Sequence, residues 1–336
     1  MSRNLLEEDV AVTILAVGII VAFFSPWLTN LVAPYTLPAL FFVILFGLIP
    51  FADVSRTELT NIDLPVWRMV IWQQFVLPCL VIALGVLAEF PDYVVSLMIV
   101  TACAGSLFAS PALAQLLNLD RNRALQCMVL STLIMPASLY VFLTAFHSVN
   151  IHLDLHDYLR RTAIFLIIPF VFFMLYRPLS ARLSPGASNV ANRFSRWGAV
   201  FALLIFGIGI MQAAANQFIN EPQKILFYLA IVSTLSVGML IVTVIVMFRF
   251  GATEALTAGV LNGFRNVGLG FALVGDMIGS ELAPYVGVSM IPVFVAPAVI
   301  RLTASSGEQA YTLSPGDEAL EAADAASAQA PAPAAA

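Results

Sequence analysis

Long apolar runs, separated by short polar or proline-containing links, follow one another along most of the chain. A membrane-spanning α-helix needs about 20 consecutive apolar residues to cross the hydrocarbon core. The pattern therefore predicts an all-α integral membrane protein of about ten transmembrane helices. The predicted spans are residues 10–31, 35–51, 66–88, 93–118, 124–146, 159–176, 196–215, 225–248, 253–279 and 283–302.

The two ends of the chain depart from this pattern. One arginine and three acidic residues precede the first apolar run, which indicates a retained first helix rather than a cleaved signal peptide. Beyond Arg301 large apolar residues are nearly absent, and the chain ends in alanine and proline. Residues 1–302 are predicted to form a transmembrane domain and residues 303–336 a disordered cytoplasmic tail, because the latter cannot bury enough apolar surface to fold.

The arginines are distributed unequally between alternate links. Cytoplasmic loops are enriched in Lys and Arg, and with the N-terminus inside only Arg160, Arg161 and Lys224 fall in outside links. The asymmetry predicts a multi-pass protein of the inner (plasma) membrane with both termini in the cytoplasm. The arginines on the cytoplasmic side are then Arg3, Arg56, Arg121, Arg123, Arg177, Arg182, Arg193, Arg196, Arg249 and Arg301.

Composition supports a lipid environment and excludes several classes of function. Hydrophobic residues make up 60% of the chain and charged residues 10%, whereas soluble domains contain about 25% charged residues. No basic stripe with interleaved aromatic residues indicates a nucleic-acid partner. Cys79, Cys103 and Cys127 are far apart in apolar runs and are interpreted as small buried hydrophobic residues, not metal ligands. Motifs for metal-dependent or nucleophilic catalysis are absent, so neither an enzyme nor a cofactor is predicted.

The fourth and ninth predicted spans are interrupted by small and polar residues, at 104–111 and 261–270. Backbone groups freed at membrane depth must line a cavity or be bound by protein, although small residues are also common where helices pack closely. The two spans hold matching positions in halves of five helices, and each precedes a span with a central proline, Pro136 or Pro292. An odd number of helices per half predicts two inverted repeats, in which interrupted helices mark the binding site of a transporter.

Arg265 lies within the ninth interruption and is the most informative single residue. A charge near the bilayer centre costs several kcal/mol unless it faces a cavity or a partner. No Asp or Glu lies clearly in the middle of any span. Two interpretations stay open: the guanidinium is satisfied by backbone carbonyls and amides, or it meets an anionic substrate or replaces a bound cation.

Other polar residues at membrane depth complete the candidate site. Adjacent glutamines on a helix point in different directions, so one is expected to serve the site and the other to pack. Ser131 and Thr132 are predicted to be ion-binding or structural polar residues, and hydroxyls in helices often bond to their own backbone carbonyls. Arg68 is expected to extend its charge to the membrane interface. The predicted substrate-binding residues are Arg265, Asn266, Asn262, Ser106, Ser110, Gln73 and Gln74.

At these residues the chain resembles the bile acid:sodium symporter family. The likeness rests on residues 73–78 (QQFVLP), 105–111, 131–136 (STLIMP) and 265–269 (RNVGL), and it covers the ten spans without the tail. The resemblance implies a panel domain of spans one, two, six and seven, and a core domain of spans three to five and eight to ten. It also implies that the interrupted helices cross near the binding site, and that organic anions are transported by relative movement of the two domains.

The chain departs from the family where sodium would bind. In place of Ser-Asn at the fourth-span break it has Ser110 followed by proline, and in the ninth span Leu261 replaces a Glu and Arg265 a Gln. Family ligand positions in the fifth span fall on Ala124 and Met128. Hard cations need oxygen ligands, and a nearby arginine repels them, so sodium coupling of the usual kind is not expected.

The function predicted from the sequence is secondary transport of a small organic anion by alternating access. The lost ion ligands and the tail also fit a second possibility, a membrane sensor or scaffold that keeps a transporter fold without transport. An arsenite exporter is conceivable because Cys103 lies near the fourth-span break. It would lack a second thiol and the carboxylate expected in the ninth span. The partners predicted are the anion and the lipid bilayer.

Overall fold

The computed structural model describes residues 13–15, 17–49, 62–117, 119–146, 153–180, 182, 184–293 and 295. The predicted tail at 303–336, the beginning of the first predicted span and the end of the tenth lie outside these residues. Within the described ranges the secondary structure is helical, apart from one isolated antiparallel bridge between Ser106 and Arg265. This confirms the all-α prediction.

The helices are named in chain order. They are α1 (Thr13–Phe23), α2 (Pro26–Leu48), α3 (Leu64–Leu87), α4 (Asp92–Cys103), α5 (Ser110–Leu116), α6 (Arg121–Ala145), α7 (Leu155–Ser180), α8 (Pro185–Asn220), α9 (Pro222–Phe250), α10 (Ala252–Gly263), α11 (Val267–Val274) and α12 (Leu282–Val293).

Six of these helices, α2, α3, α6, α7, α8 and α9, are long and apolar enough to cross a membrane. Three others, α1, α4 and α12, are apolar but shorter. Helices α4 and α10 end at the two interruptions predicted from the sequence, and α5 and α11 resume after them. Within the described ranges the structure thus consists of long apolar helices and of shorter helices that end or begin at the two interruptions.

The first predicted boundary between spans was wrong. The sequence placed it at Ala33–Pro34, but α1 ends at Phe23 and α2 runs from Pro26 through Pro34 to Leu48. A proline disfavours helical backbone in the residue before it and is well tolerated at the first helical position, which explains the break at Ser25. A single 3-10 turn at Ala33–Tyr35 accommodates Pro34 within α2.

Contacts among the described helices are continuous. Helix α2 runs along α8 and also contacts α7, and α8 contacts α9. Helices α3 and α6 pack against α4, and α9 packs against α10. Between α2 and α8 the backbones approach closely: a Cβ on Gly209 would clash with Oγ1 of Thr36 and lie 3.4 Å from the carbonyl oxygen of Val32. Because lipid supplies no hydrophobic driving force between helices, their association depends on van der Waals packing, interhelical hydrogen bonds and lipid entropy, and small residues allow this close packing.

Candidate functional site

The two interruptions meet and pair through their backbones. We call residues 104–109 and 264–266 the crossing. The N–H of Leu107 donates to the carbonyl oxygen of Phe264 at 3.0 Å, and the N–H of Asn266 donates to that of Gly105 at 2.8 Å. Backbone groups that no helix can satisfy at this depth are thus bound by the other interruption.

The crossing lies against α6. Gly105 approaches Thr132 so closely that an added Cβ would be 3.1 Å from its Oγ1 and 3.2 Å from its Cα. The backbone N–H of Ser106 donates to Oγ of Ser131 at 3.2 Å. Both hydroxyls also bond to the carbonyl oxygen of Met128, so the expected hydroxyl–carbonyl bonds are present. Ser131 has a second role, because it binds a backbone group at the break.

Helix α3 brings two glutamines into the interior at a π-helical turn, Trp72–Val76. Such turns often occur at functional sites because the extra residue re-aims the side chains around it. The amide of Gln73 faces three donors: Oγ and N of Ser106 at 2.8 and 3.2 Å, and Nη1 of Arg265 at 3.0 Å. Its oxygen is therefore assigned to that side. Gln74 accepts a bond from Oγ of Ser138 at 2.7 Å, and its Nε2 has no partner among the described residues.

Arg265 is 2% exposed and is held by neutral acceptors. Its Nε donates to the carbonyl oxygen of Asn262 at 3.1 Å, and Nη2 donates to Oδ1 of the same residue at 2.8 Å. Nη1 donates to the carbonyl oxygen of Ala104 at 2.8 Å as well as to Gln73. Each nitrogen of the guanidinium has an acceptor, and none of these acceptors in the described part of the chain is a carboxylate. The hydrogen bonds of Arg265 therefore match the first interpretation, in which backbone carbonyls and amides satisfy the guanidinium. None of these acceptors carries a negative charge that balances the positive charge of Arg265.

A cavity of about 130 Å³ separates the crossing from α1, α2 and α8. Arg265 and Asn266 are among the residues that line it, although both are themselves buried; the other predicted substrate-binding residues are buried and do not line it. Those buried side chains are Gln73, Gln74, Ser106, Ser110 and Asn262, and Oγ of Ser110 has no partner within the described ranges. The rest of the lining is largely apolar and includes Leu15, Leu40, Phe108 and Phe206.

Helix α11 begins at this cavity. Asn266 is its N-cap, and its Oδ1 accepts the N–H of Leu269 at 3.2 Å. Val267 and Gly268, the first two residues of α11, line the cavity. The N-terminal end of a helix carries partial positive charge, so it adds to the positive field of Arg265.

Residues 38–221, slightly more than half of the 336-residue chain, match the sodium bile acid symporter family. The chain belongs to this family. Members of the sodium bile acid symporter family are membrane transporters, and with the long apolar helices this identifies a multi-pass membrane protein of a transporter family. A comparison with curated proteins found no match.

The family name includes sodium, but the residues at the crossing do not suit a sodium ion. The oxygens of Ala104, Asn262 and Gln73 that face the crossing accept hydrogen bonds from Arg265. A cation at these oxygens would lie within a few ångströms of a guanidinium in a low-dielectric interior, where repulsion is strong. Leu261, Ala124 and Met128 are buried and have no oxygen in their side chains.

Two ion-pair clusters near the helix ends escaped the sequence analysis. Arg68, for which a position at the membrane interface stays a prediction, pairs with Glu254 at 2.8 Å and stacks on Phe250 at 4.0 Å. Glu281 accepts bonds from Lys224 at 2.5 Å, Tyr228 at 2.7 Å and Gln217 at 3.1 Å. The partners are distant in sequence, so local pattern carries no signal for either cluster.

Proposed function

We propose that this chain is a secondary transporter of a small organic anion, which it binds at the crossing without sodium coupling. The single observation that carries the proposal is Arg265, a buried guanidinium whose acceptors in the described residues are all neutral. The residue lies in the wall of the cavity, while its guanidinium is bound to Ala104, Asn262 and Gln73, which do not line it. A fixed positive charge beside a water-poor cavity attracts an anion more strongly than it would in bulk water.

Arg265 is proposed to attract the anion through its positive charge rather than through bidentate hydrogen bonds. Because every nitrogen of Arg265 already has an acceptor, an anion cannot form a bidentate pair without displacing Ala104, Gln73 or Asn262. The first turn of α11 offers additional partial positive charge at the same cavity. The apolar remainder of the lining suits the hydrocarbon part of an organic anion.

The transport cycle is proposed to use ten spans in two inverted halves of five helices. In this arrangement α4 with α5, and α10 with α11, form the interrupted fourth and ninth spans. The panel domain would contain α1, α2, α7 and α8, and the core domain the remaining helices. The position of the cavity between α1, α2, α8 and the crossing supports this division, because movement of one domain against the other would expose it alternately.

The orientation follows from the arginine distribution. Both termini are proposed to lie in the cytoplasm and the protein in the inner (plasma) membrane. Residues 303–336 would then form a cytoplasmic tail.

The test has two stages and compares four proteins. Thermal stabilisation of the purified protein by a panel of carboxylates and sulfonates, with taurocholate included, identifies a bound anion. Uptake of that anion into proteoliposomes is then measured with sodium, potassium or choline gradients. The variants are Arg265→Gln, which removes the charge, and Asn262→Asp, which neutralises it with an acceptor in nearly the same place. Arg196→Gln, an exposed arginine on α8, is the control.

We expect equal uptake in sodium and potassium for the unaltered protein and for Arg196→Gln. Arg265→Gln and Asn262→Asp are expected to lose affinity by roughly tenfold or more, since both remove the net charge at the cavity. Folding is checked by size-exclusion chromatography. Strong dependence on sodium would contradict the coupling proposal, and an unchanged affinity of folded Asn262→Asp would contradict the role of the charge. Anion binding without flux would support the sensor or scaffold instead.

A further inference from the structure

A second and larger cavity opens between α6 and α7, on another part of the surface. Its volume is about 730 Å³, and its lining is almost wholly apolar, with Leu133 and Ala137 on α6 and Leu159 and Val171 on α7. Several of these side chains are exposed: Leu133 by 45%, Leu159 by 56% and Val171 by 51%. In a membrane-spanning protein this open apolar groove faces lipid.

Two of the polar side chains in the groove are already bound. The Tyr158 hydroxyl donates to the carbonyl oxygen of Pro136 at 2.7 Å, and Thr162 Oγ1 donates to the carbonyl oxygen of Tyr158 at 2.9 Å. A polar ligand would therefore lose its hydration without gaining hydrogen bonds from these two residues. A hydrocarbon chain has no such penalty and gains packing contacts along the groove.

One end of the groove is charged. Arg160 is 63% exposed and Arg161 is 24% exposed, and both donate to Asp157 within the first turns of α7. Asp154 caps the same helix by accepting the N–H of His156, so the formal charges of these turns sum to zero. Because these turns have no net formal charge, an anionic ligand would be attracted by pairing with a single guanidinium. Arg160 is the more available guanidinium.

We propose that this groove binds a phospholipid, with one acyl chain along α6 and α7 and its phosphodiester at Arg160. Arg160 directly follows Leu159, which lines the groove, and it lies in the first turns of α7, before the π-helical turn at Ala163–Ile167. A guanidinium pairs well with phosphate oxygens at the boundary of a membrane. A phospholipid thus combines an acyl chain that suits the apolar lining with an anionic phosphate that suits Arg160. This proposal does not rest on the proposed transport function.

The test uses native mass spectrometry of the full chain in mild detergent, titrated with dioleoyl phosphatidylglycerol or with dioleoylglycerol, which lacks the phosphodiester. Ala137→Phe fills the groove, and Ala145→Phe places the same side chain on an exposed position of α6 that does not line it. Arg160→Gln removes the proposed phosphate partner, and Arg196→Gln is its control on α8. Size-exclusion chromatography and thermal unfolding check that each variant is folded and report its oligomeric state.

We expect Ala137→Phe to lose one bound molecule of either lipid, while Ala145→Phe binds as the unaltered protein does. Arg160→Gln should weaken the binding of phosphatidylglycerol roughly fivefold and leave the binding of dioleoylglycerol unchanged. Equal lipid binding by Ala137→Phe and Ala145→Phe would overturn the proposal. So would a change from dimer to monomer in Ala137→Phe with unaltered lipid counts, because the groove would then be an interface between copies of the chain. Equal effects of Arg160→Gln on both lipids would refute the phosphate contact.

Discussion

The backbone N–H of Asn266 donates to the carbonyl oxygen of Gly105 at 2.8 Å, and this bond joins the two interrupted helices at the crossing. The contact requires both breaks to stay extended at the same point. It also brings Gly105 against Thr132 of α6, so three separate parts of the chain converge within a few ångströms. The stability of the crossing should therefore depend on the absence of a side chain at this glycine.

Gly105→Ala is expected to destabilise the protein by about 1–3 kcal/mol, a typical result of overpacking. The added Cβ would approach the Cα and N of Thr132 at 3.2 and 3.3 Å, and backbone atoms cannot rotate away. Gly238→Ala on α9 is the matched control, because no atom lies within 4 Å of its added Cβ. Thermal unfolding in detergent compares the two. Equal unfolding temperatures would show that α6 can shift without cost.

Two substitutions of Asn266 should distinguish the effect of helix capping on stability from the effect of charge on anion binding. Asn266→Ala removes the acceptor of the Leu269 N–H and is expected to lower stability by about 1 kcal/mol. Asn266→Asp keeps an acceptor at the cap, so it should retain most of that stability. Its negative charge beside Arg265 should nevertheless weaken anion binding more than Asn266→Ala, which adds no charge. Parallel measurement of unfolding temperature and anion affinity checks both rankings, and the reverse ranking for affinity would argue against an electrostatic site.

The pair between Arg68 and Glu254 should behave asymmetrically. Glu254 is 7% exposed and Arg68 is 29% exposed. Arg68→Met leaves a buried carboxylate without its ion-pair partner and is expected to cost about 3 kcal/mol, near the lower end for broken buried pairs. Glu254→Gln leaves a cation that can reach water, so it should cost less. A double-mutant cycle with Arg68→Met/Glu254→Gln measures the coupling, and strict additivity of the two single changes would contradict a direct interaction.

Acid should weaken the cluster at Glu281. Burial alone would raise the pKa of this carboxyl, but hydrogen bonds from Lys224, Tyr228 and Gln217 outweigh it and hold the pKa below its ordinary value. A carboxyl with a lowered folded-state pKa stabilises the fold above its unfolded pKa, near about 4.3 for Glu. That stability is lost as the pH falls through the folded-state pKa.

Glu281→Gln should therefore be less stable than the unaltered protein at neutral pH and lose less stability on acidification. Unfolding temperatures measured between about pH 7 and about pH 3, spanning the ordinary Glu pKa, follow both proteins. Glu89→Gln is a control, since Glu89 is exposed and lies outside the Glu281 cluster. Parallel curves of unfolding temperature against pH for all three proteins would show that Glu281 does not cause the loss of stability in acid.

The membrane made much of the fold predictable. Apolar runs of sufficient length must be helical in lipid, and clustered small and polar residues at mid-span mark breaks, so both interruptions were located from sequence. The first span boundary was missed because Pro34 resembles a link, although one 3-10 turn absorbs it. A proline within an apolar run is thus an ambiguous signal, and the position of Ser25 before Pro26 was the better one.

The candidate site was predictable by residue type but not by geometry. Arg265 stands out as a charge in an apolar span, yet its acceptor at Ala104 is 161 residues away in sequence. The face of Gln73 and Gln74 depends on the π-helical turn of α3, which a regular helical period does not anticipate. Long-range contacts and local departures from helical period therefore set the limit on what the sequence predicts here.

The crossing can form only late in the synthesis of the chain. The carbonyl oxygens of Ala104 and Gly105 reach the membrane long before Arg265 and Asn266 have been made. During that interval the first interruption has no partner from the second, and these carbonyl oxygens must find water or a temporary donor within the bilayer. A ribosome stalled before residue 265 should therefore leave an N-terminal half that is inserted yet sensitive to proteases and quality control. Completion of α11 would be the event that closes the molecule.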